Sequence, residues 1–257
     1  MSVIFAESRN HVILRRGALT ATRKPTRKPN ILVVDVGGTN VKLLATGQSE
    51  LRRVRSGPDL TPARMTREVK KAVADWEYDV VTIGCPGPVV GNRIVLNPVN
   101  LGPGWEKYDF ERAFGKPVKL INDAAMQAIG SYEGGRMLFL GLGTGLGTAC
   151  IFDGVVAPME VAHLPYRNRT FEAYVGLRGM KHFGKRRWRE MVEDVVGRLR
   201  HALQVEYVVL GGGHVKFLKR LPPHCRAGAN ANAFLGGFRL WTEPDRFILA
   251  GDAQKRR

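Results

Sequence analysis

The chain has 257 residues, of which 44% are hydrophobic and 25% charged, so it is long enough for one large globular domain or two small lobes. Lysine and arginine outnumber aspartate and glutamate by 40 to 23, and the resulting formal net charge of +17 favours a polyanionic partner: nucleic acid, an acidic membrane surface or a phosphate-rich ligand. No apolar run reaches the roughly 18 residues that a membrane span needs, so we expect a soluble protein.

The three cysteines, Cys85, Cys150 and Cys225, are far apart and form no CxxC pair. This spacing argues against a zinc site or a disulfide framework and predicts reduced thiols in a cytoplasmic protein. Residues 1–30 carry seven Lys or Arg and one acidic residue, so we interpret 1–29 as a flexible basic arm. An inert tail, a misplaced start codon and an organelle transit peptide are the alternatives for this arm.

Strand and helix signals alternate after the arm. An apolar strand at 31–34 runs into the turn Asp-Val-Gly-Gly-Thr-Asn-Val-Lys at 35–42 and a second strand at 41–45, which predicts a hairpin. No GxxxxGK[ST] motif follows, so this turn is not a P-loop. Thr61-Pro62 predicts the start of a helix, and Met65, Val69, Val73 and Trp76 place an apolar stripe on it.

Further strands are predicted at 80–84 and 118–121, and the second of them ends at Asn122-Asp123 before a helix over 124–129. Polar residues at the carboxyl end of a strand are where open α/β sheets bind ligands. A second glycine turn, at 141–145, lies between strands at 137–140 and 148–152. The two hairpins predict two similar lobes, 30–123 and 124–257, that face a cleft.

A long amphipathic helix over 188–199 and a strand at 207–210 complete the prediction, and Gly211-Gly212-Gly213 follows that strand. Glycine lets main-chain N–H groups approach a phosphate closely, because no Cβ lies in the way. Two glycine turns of this kind in one chain therefore indicate phosphoryl transfer.

These residues together resemble the ROK sugar kinases, and the resemblance covers 30 to about 241. Its motifs are DxGGTxxK at 35–42, GxPG at 84–87, an NLxPGW-like stretch at 100–105, Asn-Asp-Ala at 122–124, GTGxG at 143–147, the segment 160–163 and the triple glycine at 211–213. The chain looks most like the polyphosphate/ATP glucokinase branch. The resemblance implies an α/β, two-lobed actin-like ATPase fold, ribonuclease H-like and of the hexokinase/ROK type.

The resemblance also implies roles for individual residues. Asp123 would be the general base that takes the proton of the sugar's 6-hydroxyl, a role that phosphoryl transfer requires of some carboxylate. A helix N-cap is the alternative for Asp123. Asp35 would position Mg²⁺ through water. The implied ligands of the sugar hydroxyls are Asn100, Asn122, Glu160, His163 and Glu172. The implied phosphate and donor residues are Asp35, Gly37, Gly38, Thr39, Lys42, Gly143, Thr144, Gly145, Gly211 and Gly212.

Several features depart from the family pattern. Residues 164–171 contain no cysteine, so we expect no structural zinc, and Ala162 stands where the family has a glycine. The basic arm is also too short for the winged helix of the family's transcriptional repressors.

We therefore predict a glucokinase that uses Mg²⁺ and takes its phosphoryl group from ATP or inorganic polyphosphate. The basic cluster Lys181, Lys185, Arg186, Arg187 and Arg189 favours polyphosphate, with a solvated helix face as its alternative. We expect a cytoplasmic homodimer that binds neither a membrane nor nucleic acid. The competing hypothesis is a catalytically weak sugar sensor whose basic arm binds nucleic acid.

Overall fold

Two mixed β-sheets form the framework of the protein, whose computed structural model describes residues 27–229 and 231–250. The strands of the first sheet are β1 (Ile31–Val36), β2 (Asn40–Ala45), β3 (Arg52–Arg55), β4 (Val80–Cys85) and β7 (Val118–Asn122). Their spatial order is β3-β2-β1-β4-β7. β1, β2 and β3 pair antiparallel, whereas β4 and β7 run parallel to β1. The predicted basic arm lies outside the described residues except at its last positions, 27–29.

The second sheet repeats this topology. Its strands are β8 (Arg136–Leu142), β9 (Leu146–Phe152), β10 (Val155–Met159), β13 (Tyr207–Gly211), β14 (Cys225–Ala227) and β15 (Ile248–Leu249), in the order β14-β13-β8-β9-β10-β15. Again three antiparallel strands are followed by two parallel ones, and the short β15 adds a sixth strand parallel to β10. Two hairpins stand apart from the sheets, β5 (Val89–Val90) with β6 (Arg93–Ile94) and β11 (Pro165–Tyr166) with β12 (Arg169–Thr170). The two sheets of like topology agree with the predicted two-lobed fold, and the lobe bounds 30–123 and 124–257 stay a prediction.

The outer face of each sheet is covered by helices. On the first sheet these are α1 (Pro62–Ala72) and α2 (Phe110–Phe114), and on the second α4 (Phe171–Val175) and α5 (Leu177–Leu203). α1 begins as predicted, because the Thr61 hydroxyl accepts the N–H of Arg64 at 3.3 Å. The helix ends at Ala72, so Trp76 lies beyond it, although it packs in the same core as the predicted stripe.

α5 is longer than the predicted helix. Its buried side chains Trp188, Met191, Val192, Val195, Val196 and Leu199 are those of the predicted stripe, and they pack on the second sheet. The first two turns, which the periodicity did not predict, are separated from the rest by a kink at Gly184, where φ is 75°. No helix in the described part of the chain is long and apolar enough to cross a membrane.

The inner faces of the two sheets are separated by α3 (Asp123–Ser131) and α6 (Asn232–Thr242). α3 packs on β8 and β9 of the second sheet, α6 packs on β1 and β4 of the first, and the two helices pack against each other. A methyl group on Gly130 would come closer than 3.0 Å to the Asn232 carbonyl oxygen, and one on Gly236 equally close to that of Met126. The close approach of the backbones therefore requires glycine at both positions.

Polar side chains tie α6 to its surroundings. The Thr82 hydroxyl donates to the Gly237 carbonyl at 2.9 Å and accepts the indole N–H of Trp241 at 2.9 Å. The buried guanidinium of Arg239 donates to the carbonyls of Ile129 and Tyr132, at 2.6 and 3.0 Å, and so satisfies the end of α3. A helix from the predicted second lobe therefore covers the sheet of the first, and the lobe boundary at residue 123 stays a prediction.

Candidate active site

The first glycine turn joins β1 to β2 as the predicted hairpin. The Gly37 N–H donates to the Asn40 carbonyl at 3.1 Å, and a Cβ on Gly37 would lie 3.0 Å from the same oxygen. The carbonyl of Thr39 accepts the N–H of Ser56 at 3.0 Å, so the tip of the turn is held from the side of β3. Gly38 faces the side chain of Asn100, whose Cβ would lie 3.8 Å from a Cβ at that glycine.

Asp35 and Lys42 are directly opposite each other on β1 and β2. Lys42 Nζ lies 3.3 Å from Asp35 Oδ2, and the carboxyl of Asp35 is largely buried. The ion pair offsets part of the cost of burying the carboxylate. The two residues therefore meet at the base of the glycine turn, where the sequence pattern places them.

Asn122 and Asp123 lie where β7 passes into α3. Asn122 is the N-cap: its Oδ1 accepts the N–H of Ala125 at 3.0 Å, and its Nδ2 donates to the carbonyl of Gly87 at 3.0 Å. Asp123 is the first residue of the helix, and its Oδ1 accepts the N–H of Ala124 at 2.8 Å. The capping role that was the alternative for Asp123 thus belongs to Asn122, which also holds the GxPG loop.

The environment of Asp123 raises the pKa of its carboxyl to about 6. Burial is the largest cause, and the negative charge of Asp35 is the second, with a smaller contribution from Glu160. The fold therefore brings three of the predicted site residues close enough for their charges to interact. A carboxyl with a pKa near 6 is ionised at neutral pH and still basic enough to accept a proton from an attacking hydroxyl.

We expect kcat/KM for the sugar to fall about tenfold per pH unit below pH 6 and to level off above it, because protonated Asp123 cannot accept a proton. Initial rates at a saturating donor concentration from pH 5 to 8 measure this profile. In Glu160→Gln the inflection should move to lower pH, since one negative charge that raises the pKa is removed. An inflection that belongs to the donor's own phosphate would stay in place and contradict the assignment.

The second glycine turn is anchored by the neighbouring helices. The Gly143 N–H donates to the Gly145 carbonyl, and the carbonyls of Gly143 and Thr144 both accept the N–H of Leu177, each at 3.2 Å. Glu172, a predicted sugar ligand, reaches this turn, and its Oε2 accepts the Leu146 N–H at 3.2 Å. One oxygen of Glu172 therefore orients the turn, and the other accepts no hydrogen bond from residues 27–229 or 231–250.

Glu160 directly precedes a 3₁₀ turn, Val161–His163, and His163 is the last residue of that turn. Their side chains are 58% and 71% exposed, and His163 Nε2 is 3.8 Å from Glu160 Oε2. Asn100 is also exposed. Three predicted sugar ligands thus present polar groups to solvent, as a site for a hydroxylated ligand requires.

Gly211 is the last residue of β13, Gly212 follows it, and both pack against the second glycine hairpin, β8–β9. A Cβ on Gly212, whose φ is 84°, would overlap the carbonyl of Leu142, and one on Gly211 would overlap the ring of Phe139. The chain continues into a 3₁₀ turn, Val215–Phe217, rather than into the helix that a plain strand-to-helix turn would give.

His214, next to these glycines, was not predicted. The backbone N–H of His214 donates to the Leu142 carbonyl at 3.0 Å. The ring Nδ1 is buried with no hydrogen-bond partner among residues 27–229 and 231–250. Burial lowers the pKa of His214, and the charge of Lys216 acts in the same direction. Nothing in the sequence singles out His214, because it is a lone histidine outside any recognised motif.

A magnesium ion fits the chemistry of the residues around Asp35. The carboxylates of Asp35 and Asp123 are close enough for the charge of one to raise the pKa of the other, and a cation near both would relieve this repulsion. Mg²⁺ keeps most of its waters and needs only one or two carboxylates. Among the described residues no group of three or more His, Cys, Asp or Glu converges as a metal cage would.

The basic cluster on α5 has partners within the fold. The Nζ of Lys185 lies 4.4 Å from the ring centre of Phe217, and Arg189 Nε donates to the carbonyl of the same residue at 2.7 Å. Arg186 Nε is 3.6 Å from Glu190 Oε1. Of the five cations in the cluster, Lys185 and Arg189 thus contact the 3₁₀ turn Val215–Phe217, and Arg186 pairs with a residue of its own helix.

The sequence profile of the ROK family matches residues 31–158. This range contains the two hairpins with glycine turns, β1–β2 and β8–β9, as well as Asp35 and Asp123. The chain belongs to the ROK family. Its fold is the two-lobed actin-like ATPase fold that the motifs predicted. In this ROK protein the two glycine turns lie between equivalent strands of two sheets of like topology.

Two curated relatives and two solved structures define the similarity. A glucokinase from Pyrobaculum calidifontis is 29% identical over 133 residues, which are 49% of this chain and 44% of that protein, so the match spans less than half of the relative's length. A polyphosphate glucokinase from Mycobacterium tuberculosis is 24% identical over 202 residues, 70% of this chain and 76% of that protein.

Among solved structures, the inorganic polyphosphate/ATP-glucomannokinase from Arthrobacter sp. strain KM superposes with a TM-score of 0.71 at 22% identity, covering 84% of this chain and 99% of that one. A ROK family transcriptional regulator superposes with a TM-score of 0.65 at 12% identity, covering 84% of this chain and 78% of that one. At these identities the structures show a shared fold.

Proposed function

We propose that the protein is a sugar kinase that transfers the terminal phosphoryl group of ATP or inorganic polyphosphate to the 6-hydroxyl of glucose. The observation that carries this proposal is the Asp123 carboxyl, half-buried at the start of α3, with its pKa raised to about 6 beside Asp35. The names of the curated relatives, a glucokinase and a polyphosphate glucokinase, support the same acceptor.

In the proposed reaction Asp123 accepts the proton of the 6-hydroxyl as the oxygen attacks the terminal phosphorus, and the bond from that phosphorus to the donor oxygen breaks. The N–H groups of Gly38 and Thr39 bind phosphate oxygens on one side of the cleft, and those of Thr144 and Gly145 bind them on the other side. Gly37 and Gly143, whose own N–H groups close the two turns, let the main chain approach the phosphate, and Lys42 adds a positive charge. Mg²⁺, when held near Asp35, would neutralise charge on the transferring group.

The proposed sugar ligands are Asn100, Asn122, Glu160, His163 and Glu172. The amide of Asn122 already makes two hydrogen bonds, but a carboxamide offers a second lone pair and a second N–H, so it can still bind a hydroxyl. Gly211 and Gly212 would contact the distal part of a nucleotide donor.

Formation of sugar phosphate from glucose and Mg²⁺, measured in parallel with ATP and with polyphosphate, tests the proposal. We expect glucose 6-phosphate from at least one donor. If neither donor yields product with glucose, mannose or fructose while glucose still binds, the protein is a sugar sensor and the proposal is wrong.

A further inference from the structure

One face of the first sheet carries a row of charged side chains that begins at Asp35. Asp35 lies opposite Lys42 on β2, and Lys42 lies opposite Arg53 on β3. Arg55, two residues further along β3, lies opposite Asn40. Because directly opposed residues of antiparallel strands point to the same side, these charged side chains share one face of the sheet.

This face is the one that looks toward the cleft between the sheets. Val33, two residues before Asp35 on β1, packs in the inner core with α3 and α6, whereas Val34 packs in the outer core with α1. α6 covers β1 and β4, and Arg53 and Arg55 on β3 are exposed. The row thus runs from the candidate active site to the open edge of the sheet.

The arginines of β3 differ in their partners. Arg52, on the opposite face, donates from Nη2 to Asp75 Oδ2 at 2.7 Å and lies 4.3 Å from the ring centre of Trp76. Arg53 and Arg55 make no ion pair or side-chain hydrogen bond with any residue in the described ranges. Two unpaired cations side by side on one face repel each other, so they do not stabilise the sheet. An anion would remove that repulsion.

A surface cavity of about 310 Å³ continues the row beyond the end of β3. Arg55 and Arg64 line it, with Asp59 as its acidic residue. Ser56 also lines it, and the Oγ of Ser56 is buried with no hydrogen-bond partner among the described residues. Since the Ser56 N–H donates to the Thr39 carbonyl at 3.0 Å, the cavity lies directly beside the tip of the first glycine turn.

We propose that this β3 basic surface, made of Arg53, Arg55, Ser56 and Arg64, binds the phosphate groups of the donor that are not transferred. The donor class that fits is an inorganic phosphate chain. Its charge repeats along its length, so it can follow the cations from Lys42 to Arg55. A nucleoside triphosphate has only two phosphates beyond the one that is transferred, so it offers this row of cations less charge than a long phosphate chain does. The inference rests on the proposed kinase function.

A pair of variants that lose equal charge tests the surface. Arg53→Gln/Arg55→Gln/Arg64→Gln removes three cations from it, and Lys181→Gln/Arg186→Gln/Arg187→Gln removes three from α5. We expect the first variant to raise KM for long-chain polyphosphate about tenfold or more and to lower the slope of log KM against log salt by about 2. Its KM values for ATP and glucose should change less than about twofold. The α5 variant tests the basic cluster that the sequence linked to polyphosphate, and we expect its KM for polyphosphate to rise clearly less than that of the first variant.

An unchanged polyphosphate KM in the first variant, or an equal rise in both variants, would overturn the inference. Binding of fluorescein-labelled long-chain polyphosphate, followed by anisotropy, gives a readout that does not need turnover. If the wild-type protein forms no sugar phosphate, the kinase proposal fails, but a tenfold weaker binding by the first variant alone still supports the surface. Equal binding by the wild type and this variant contradicts it.

Discussion

Replacement of Asp123 by asparagine is expected to lower kcat for sugar-phosphate formation by a factor of about 10³ or more, because an amide cannot accept the proton of the attacking hydroxyl. The dissociation constant for glucose should change less than about threefold, since asparagine keeps the shape and can still accept the N–H of Ala124 through Oδ1. A coupled assay for glucose 6-phosphate measures the first quantity, and calorimetric titration with glucose measures the second.

The unfolding temperature of Asp123→Asn shows whether a loss of activity comes from the missing base or from an unfolded protein. The folded state raises the pKa of Asp123 from 3.8 to about 6, so it binds the proton more tightly than the unfolded chain does. The free energy of unfolding therefore falls as the pH rises from 3.8 to about 6, because the folded state must give up a proton that it binds more tightly. Asparagine does not ionise, so the variant does not lose this stability. Asp123→Asn should unfold at pH 7.5 at the wild-type temperature or above it.

Asp245→Asn, the same chemical change at an exposed position, serves as the control for activity. We expect its kcat to equal that of the wild type. A kcat for Asp123→Asn within tenfold of the wild-type value would contradict the assignment of Asp123 as general base.

Gly236→Ala is expected to destabilise the protein by about 3 kcal/mol or more, or to prevent folding. The added methyl group would lie closer than 3.0 Å to the Met126 carbonyl oxygen, and the backbone of α3 cannot move away without losing its packing on the second sheet. The midpoint of urea unfolding, followed by circular dichroism, measures the loss.

Gly197→Ala is the matched control. Gly197 lies on the exposed side of α5, and a Cβ there would have no neighbour within 4 Å. Alanine should therefore leave stability unchanged or raise it by about 0.5–1 kcal/mol, through its greater helix propensity. Equal midpoints for Gly236→Ala and the wild type would show that α3 and α6 separate easily.

The strands and glycine turns could be predicted because their signals are local. A buried strand shows as an apolar run, and a turn that approaches another backbone closely needs glycine, as in the hairpin at Gly37 and after β13 at Gly212. The pair Asn122-Asp123 was predicted for the same reason, since it directly follows such a strand. Which of the two residues caps α3 depends on the direction of the backbone at the end of β7. The residue types alone do not determine that direction.

Features that depend on distant parts of the chain were missed. α6 contains adjacent glycines and has no side-chain cap, so its helix propensity is low, and packing on α3 and the first sheet stabilises it. The β3 basic surface becomes visible only when strand register places Arg53 opposite Lys42. The raised pKa of Asp123 likewise depends on burial by the folded chain and, second, on the charge of Asp35, which is distant in the sequence.

The position of α6 determines the order in which the protein can be completed during translation. Strands β1 and β4 leave the ribosome early, but the helix that covers their inner face follows only after about 230 residues. Until then Ile31, Val33 and Val80 expose apolar surface, although the outer face of the same sheet can already pack under α1. The nascent chain must therefore keep half of its first sheet uncovered, and available to chaperones, until α6 has emerged.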